Sequence, residues 1–172
     1  MTDIYAQDKR SEIMSKIRSK GTKPELLVRE LLFNAGFRYR LHRADLPGKP
    51  DLVLSKFRTV IFVNGCFWHG HDGCSRSKLP SEHQDFWQEK IRGNQARDKK
   101  VKQQLLSSGW RILIIWQCGC LKTKKDRLLA LIKEFLISDK PFGQIEKKDI
   151  ALLANESGQQ QLIPSSQQNV VS

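Results

Sequence analysis

Apolar residues recur at helical spacing twice near the start of the chain and then give way to shorter, denser runs. In DKRSEIMSKIRSK (8–20), Ile13, Met14 and Ile17 share one side among basic residues, which predicts a short amphipathic helix. Thr22 precedes Pro24 and Glu25, and a second helix is expected from there to about Ala35. Thr-x-x-Glu is a capping-box pattern, Pro24 fits the first turn, Gly36 ends the helix, and Leu27, Leu31 and Leu32 form its apolar face. A short strand near Phe37 to Leu41 leads into a Pro-Gly turn at Pro47-Gly48. The runs DLVLS (51–55) and RTVIFV (58–63) read as adjacent antiparallel strands joined by a tight turn. Residues 65 to 80 form a loop rich in Gly, His and Cys, and a long helical pattern covers roughly 83 to 106. WRILIIW (110–116) predicts a buried strand, and a final amphipathic helix is expected from Lys125 to Ile137. The polar, repetitive QQQLIPSSQQNVVS offers too little apolar surface to fold, so disorder is expected after about Ala154. This order implies an α/β fold with a mixed central sheet between helices. The expected division is an arm over 1–20, a core over 21–138 and a tail over 139–172.

Charge narrows the choice of partner. The 172 residues carry 30 Lys and Arg against 18 Asp and Glu, a net +12. That balance calls for a polyanion, nucleic acid or an anionic membrane. No stretch approaches the roughly 20 apolar residues of a membrane span, and MTDIYAQDKR is too polar for a secretory signal. Nucleic acid in a cytosolic setting is the expectation. From Asp139 onward there are three lysines against four acids, so the excess lies wholly before that point.

Two stretches carry candidate chemistry. Asp51 opens one strand of the expected hairpin, beside the end of its neighbour at Val63-Asn64. A carboxylate and a backbone carbonyl there could share a hard, oxygen-seeking Mg²⁺, the ion suited to phosphodiester hydrolysis. A solvated Asp after a Pro turn fits the same residues. In GCFWHGHDGC (65–74), Cys66, His71 and Cys74, with Cys118 at the end of a later strand, supply four ligands for tetrahedral Zn²⁺. Spacing equally permits His69 for His71 and Cys120 for Cys118. Phe67 and Trp68 cannot both turn inward easily in a metal-tethered loop. They read as a wedge or stacking platform for bases, with core packing as the alternative.

The run LPGKPDLVL…VIFVNGCFWHGHDGC, followed by FWQEKI and GWRILIIWQC, resembles the very short patch repair (Vsr) DNA mismatch endonucleases over about residues 8 to 137. The resemblance implies a restriction-endonuclease-like fold, a PD-(D/E)xK variant with a structural zinc site. It implies nicking of one strand 5′ to the thymine of a T:G mismatch left by deamination of 5-methylcytosine. By position, Asp51 and the Val63 carbonyl would ligate Mg²⁺, His69 would be the general base, and Glu25 would help order metal-bound water. Zn²⁺ would fall to Cys66, His71, Cys74 and Cys118, freeing His69. Phe67, Trp68 and Trp87 would insert beside the mismatch, with Met14 and Ile17 entering the opposite groove. A bacterial, cytoplasmic monomer acting on double-stranded DNA is implied, with mismatch-repair proteins as further partners. Asn64 stands where that family usually has a titratable residue. Asn can hydrogen-bond a phosphate or a metal-bound water but cannot transfer a proton. A related nuclease of other specificity, or a zinc-stabilised DNA-binding protein without activity, are the alternatives.

Overall fold

The computed structural model describes residues 20–152. Met14, Ile17 and the helix expected over 8–20 lie outside the described residues, as does the tail expected after 154. The elements in chain order are α1 (Lys23–Asn34), β1 (Arg40–Leu41), β2 (Leu52–Leu54), β3 (Thr59–Asn64), α2 (Gln84–Ser107), β4 (Arg111–Trp116), α3 (Lys125–Ile137), β5 (Phe142–Ile145) and α4 (Lys147–Ala151).

Both ends of α1 form through local chemistry. Thr22 Oγ1 accepts the Glu25 N–H at 3.4 Å, the first half of the expected capping box. The other half differs: the Glu25 carboxylate takes the Gly21 N–H at 2.7 Å instead of the Thr22 N–H. At the far end Gly36 adopts φ +84°, and Phe37 N–H bonds back to the Leu32 carbonyl at 2.9 Å. That left-handed stop is one glycine accepts at no steric cost.

Five strands form one mixed sheet in the order β1-β2-β3-β4-β5. The β1–β2 and β2–β3 pairs are antiparallel, while β3–β4 and β4–β5 are parallel, each joined through a helix. The expected hairpin is present, with Leu52 opposite Ile61 and a three-residue 3₁₀ turn at Ser55–Phe57. Strand periodicity splits the apolar residues between two cores. Leu52, Leu54, Ile61, Leu113 and Ile115 pack with Leu27, Val28, Leu31 and Leu32 of α1 and with Leu128, Ile132 and Phe135 of α3. The alternate residues Val53, Val60 and Ile112 pack against Leu105 and Val101 of α2. The sheet is therefore sandwiched, α1 and α3 on one face and α2 on the other. Being buried on both faces is why β4 reads as an unbroken apolar run.

Two elements, β5 and α4, lie within the stretch expected to be tail. Phe-Gly-Gln-Ile has little strand character of its own and is extended by its pairing with β4. Among the described residues no helix is long and apolar enough to cross a membrane.

Candidate active site and metal centre

The C-terminal end of β3 divides the functional side chains into two groups, one reached through Val63 and the other through Asn64. On the Val63 side, Asp51 immediately precedes β2 and its Oδ2 accepts the Val63 N–H at 2.7 Å. This bond pins the carboxylate to the neighbouring strand, although through the amide of Val63 rather than its carbonyl. Glu25, only 2% exposed, and His42 complete a cluster whose ligand-type atoms all lie within 4.8 Å of one another. Burial raises the Asp51 carboxyl above the ordinary carboxylate range; the Val63 N–H opposes this, and the charge of Glu25 adds to it. Two carboxylates held this close in a desolvated pocket gain from a cation between them. The oxygen-rich donor set fits a hard divalent ion.

On the Asn64 side, a cleft of about 440 Å³ is lined by Asn64, His69, Gln95, Asp98 and Gln144, among others. His69 Nδ1 lies 2.6 Å from Asp98 Oδ2. A carboxylate only accepts, so the bond places the proton on Nδ1 and leaves the Nε2 lone pair free. Asp98 belongs to the face of α2 that carries Trp87, Ile91 and Leu105. Polar Asn94 and Asp98 interrupt that stripe, and both hold the Cys-rich loop. Asn94 Nδ2 donates to the Trp68 carbonyl at 2.8 Å and Gln95 Nε2 to the Gly70 carbonyl at 3.2 Å. At Gly70, φ +56°, an added Cβ would lie 2.5 Å from Gln95 Nε2 and 2.7 Å from Ile91 Cγ2. Only glycine lets the loop lie this close to α2.

Cys66, His71, Cys74 and Cys118 converge, their ligand atoms again within 4.8 Å of one another. Cys118 Sγ and His71 Nδ1 are 3.6 Å apart. A tetrahedron with bonds of about 2.1 and 2.3 Å has an S–N edge of about 3.6 Å, so the cluster fits a four-coordinate ion. His69 and Cys120, which spacing alone allowed, are not members. Glu146, at the N-terminus of α4, accepts from His71 Nε2 at 3.1 Å, which leaves Nδ1 as the ligand nitrogen. Lys148 and then His71 hold that carboxyl below the usual range, offsetting its partial burial. The His71 ring stacks on Trp116 at 4.0 Å and 3°. Burial pushes the Cys66 thiol up to about 12 and raises Cys118 as well. Cys74 is lowered: its burial is outweighed by the Arg76 N–H and the neighbouring thiols.

Above the loop lies an aromatic cluster. Phe67 is 5.2 Å from Trp68 and 5.3 Å from Trp87, and Phe86 is 5.1 Å from Trp87. Trp87 is 7% exposed and forms the foot of the cluster, while Phe86, which sequence reasoning passed over, is 56% exposed. The Lys90 ammonium lies within 6 Å of the Trp68, Phe86 and Trp87 rings.

A family model described as DNA mismatch endonuclease Vsr matches residues 2–76. The Type II nicking enzyme V.XorIIP of Xanthomonas oryzae is 49% identical over 134 residues, covering 75% of this chain and 98% of that protein. The Type II nicking enzyme V.NmeAIP of Neisseria meningitidis is 48% identical over 137 residues, 78% of this chain and 96% of that one. The DNA mismatch endonuclease Vsr of Escherichia coli is 37% identical over 157 residues, 90% of this chain and all of that enzyme. Relatives of this kind define the class as DNA endonucleases of the strand-nicking type. The chain belongs to the DNA mismatch endonuclease Vsr family.

Proposed function

We propose that this chain nicks one strand of double-stranded DNA 5′ to the thymine of a T:G mismatch, in a Mg²⁺-dependent hydrolysis. The observation that carries this reading is that two acid-bearing groups meet at the C-terminal end of β3: Asp51, bonded to the Val63 N–H and beside the buried Glu25, and the His69–Asp98 pair, which lines one cleft with Asn64. A divalent ion held by Asp51, with the Val63 carbonyl and with Glu25 ordering its water, would polarise the scissile phosphate. His69 supplies the base. Its Nε2 lone pair takes the proton from the attacking water, and Asp98 steadies the imidazolium through Nδ1–H. Asn64 carries no proton and serves as a hydrogen-bond partner for phosphate. A mixed sheet with an acidic residue entering its hairpin also supports a PD-(D/E)xK nuclease variant as the fold class.

The Cys66–His71–Cys74–Cys118 cluster takes Zn²⁺ in a structural role, fixing the loop that carries Phe67, Trp68 and His69. Phe67 and Trp68 enter the base stack beside the mismatch, with Trp87 as their support from below. Met14 and Ile17 are assigned to the opposite groove. The test is a nicking assay on otherwise identical T:G and matched duplexes, with and without Mg²⁺. Only the T:G strand, only with Mg²⁺, should be cut, and Asp51→Asn should abolish cutting while leaving DNA binding and zinc content intact. Equal cutting of both duplexes would replace this reading with a nuclease of other specificity.

A further inference from the structure

Arg29 and His42 share the pocket of Glu25 and Asp51, and the proposed hydrolysis uses neither. His42 directly follows β1 with φ +45°, a left-handed conformation that residues with side chains adopt rarely. Its amide still reaches the Asp51 carbonyl at 3.5 Å, so the strand pairing fixes the ring's root beside Asp51. Nε2 lies 2.8 Å from Arg29 Nη2 and 3.1 Å from Glu25 Oε1, while Nδ1 is 3.9 Å from Asp51 Oδ1. The two neighbours of Nε2 ask opposite things of it: Glu25 would accept a proton, whereas Arg29, the nearer, only donates. Because Glu25 already accepts from Arg29 in their ion pair, the Arg29 contact decides, needs the ring's lone pair at Nε2 and puts the proton on Nδ1. Arg29 is held in turn by an ion pair to Glu25 one helical turn away. Its Nε is buried without a partner among the described residues, so the side chain gives up one hydrogen bond to keep Nη2 between Glu25 and His42.

We propose that His42 is a positioning residue for the nicking centre: Arg29 sets its tautomer, and Nδ1–H orients Asp51 through a bridging water without the ring ligating the ion. This rests on Asp51 being the ion's carboxylate. A separation of 3.9 Å is too long for a direct hydrogen bond and suits one water shared with the carboxylate. Protonated Nδ1 has no lone pair to offer a metal, and Nε2 is taken by Arg29.

Full-length protein titrated with Mn²⁺ by calorimetry, with Asp51→Asn as the blank, tests this without relying on DNA cleavage. His42→Gly accepts φ +45° freely and removes the ring, whereas His42→Asn tolerates the same backbone and keeps an N–H near the Nδ1 position. His42→Gly should weaken Mn²⁺ about 10- to 100-fold, the usual effect of losing an outer partner of a ligand. His42→Asn should recover most of the loss. Electron spin-echo spectra of the Mn²⁺ complex should show no ¹⁴N coupling from an imidazole. Nitrogen-15 spectra should report the Nδ1–H tautomer of His42, lost in Arg29→Met. Imidazole coupling, an Nε2–H tautomer in the wild type, or equal Mn²⁺ affinity in wild type and His42→Gly would each overturn the assignment. If the wild type shows no Mn²⁺ site sensitive to Asp51→Asn, the Asp51 reading itself has failed, and this assignment goes with it.

Discussion

Between Lys90 and Ser107 the only carboxylate is Asp98, surrounded in sequence by six Lys and Arg, and it is bonded to His69. The bond decides which nitrogen can act as base, so Asp98→Asn is informative. An Asn side chain can donate to Nδ1 and turn the imidazole to the wrong tautomer. Single-turnover nicking by Asp98→Asn should fall by about 10²- to 10⁴-fold, the worth of a general base, with DNA affinity unchanged. A rate within twofold of wild type would mean that His69 is not oriented by Asp98. Asp51 and His69 were legible because short motifs carry them. Asp98, His42 and Glu146 were not, since each meets its partner through the fold; Asp98 is 29 residues from His69, and Glu146 is 75 from His71. One signal was present in the sequence: the polar pair Asn94 and Asp98 falls where the apolar stripe of α2 should continue.

Among the elements, those bounded by strong local chemistry were readable and those created by pairing were not. Helix α3 runs from Lys125 to Ile137, the span its apolar spacing predicts, and β4 was marked by its continuous apolar run. Strand β5 and helix α4 had no such signal, yet Glu146, the N-cap of α4, is the hydrogen-bond partner of His71 in the Cys/His cluster. The loop from Cys66 to Cys74 has little apolar content beyond its aromatic pair, so its order should depend on the ion. Cys66→Ala should lose zinc and lower the melting temperature markedly, because binding energy at such a site is folding energy. The pH dependence has a definite sign. Cys66 and Cys118 have thiols raised by burial, so both must give up protons when zinc enters. Apparent zinc affinity should therefore fall by at least about two decades per pH unit as pH drops from 8 to 6, one decade for each of these two thiols, with Cys74 adding to the slope wherever it too is protonated. Competition against a chelator at fixed pH values measures it; a slope near zero would show thiols already ionised before zinc arrives.

For the molecule as a whole, the net charge of +12 is concentrated ahead of Asp139, and α2 carries part of it. Arg92, Arg97, Lys99 and Lys100 are exposed on that helix, which also holds the Cys-rich loop through Asn94. Phosphate contacts and base contacts answer differently to salt, which lets the two surfaces be separated. Each phosphate neutralised contributes a slope of about −0.9 in log affinity against log salt. Replacing Lys99 or Lys100 by Gln should weaken matched and T:G duplexes alike and reduce the magnitude of that slope by about one for each phosphate left without its lysine. Replacing Phe67 or Trp68 by Ala should leave the slope unchanged and weaken T:G binding preferentially, because an aromatic wedge acts on the base stack, where a mismatch opens more cheaply. Equilibrium binding of both duplexes over a salt series reads all four variants. If the lysine variants changed the T:G preference while the aromatic variants changed only the salt slope, discrimination would have to lie on α2, and the aromatic cluster would revert to packing around the buried Trp87.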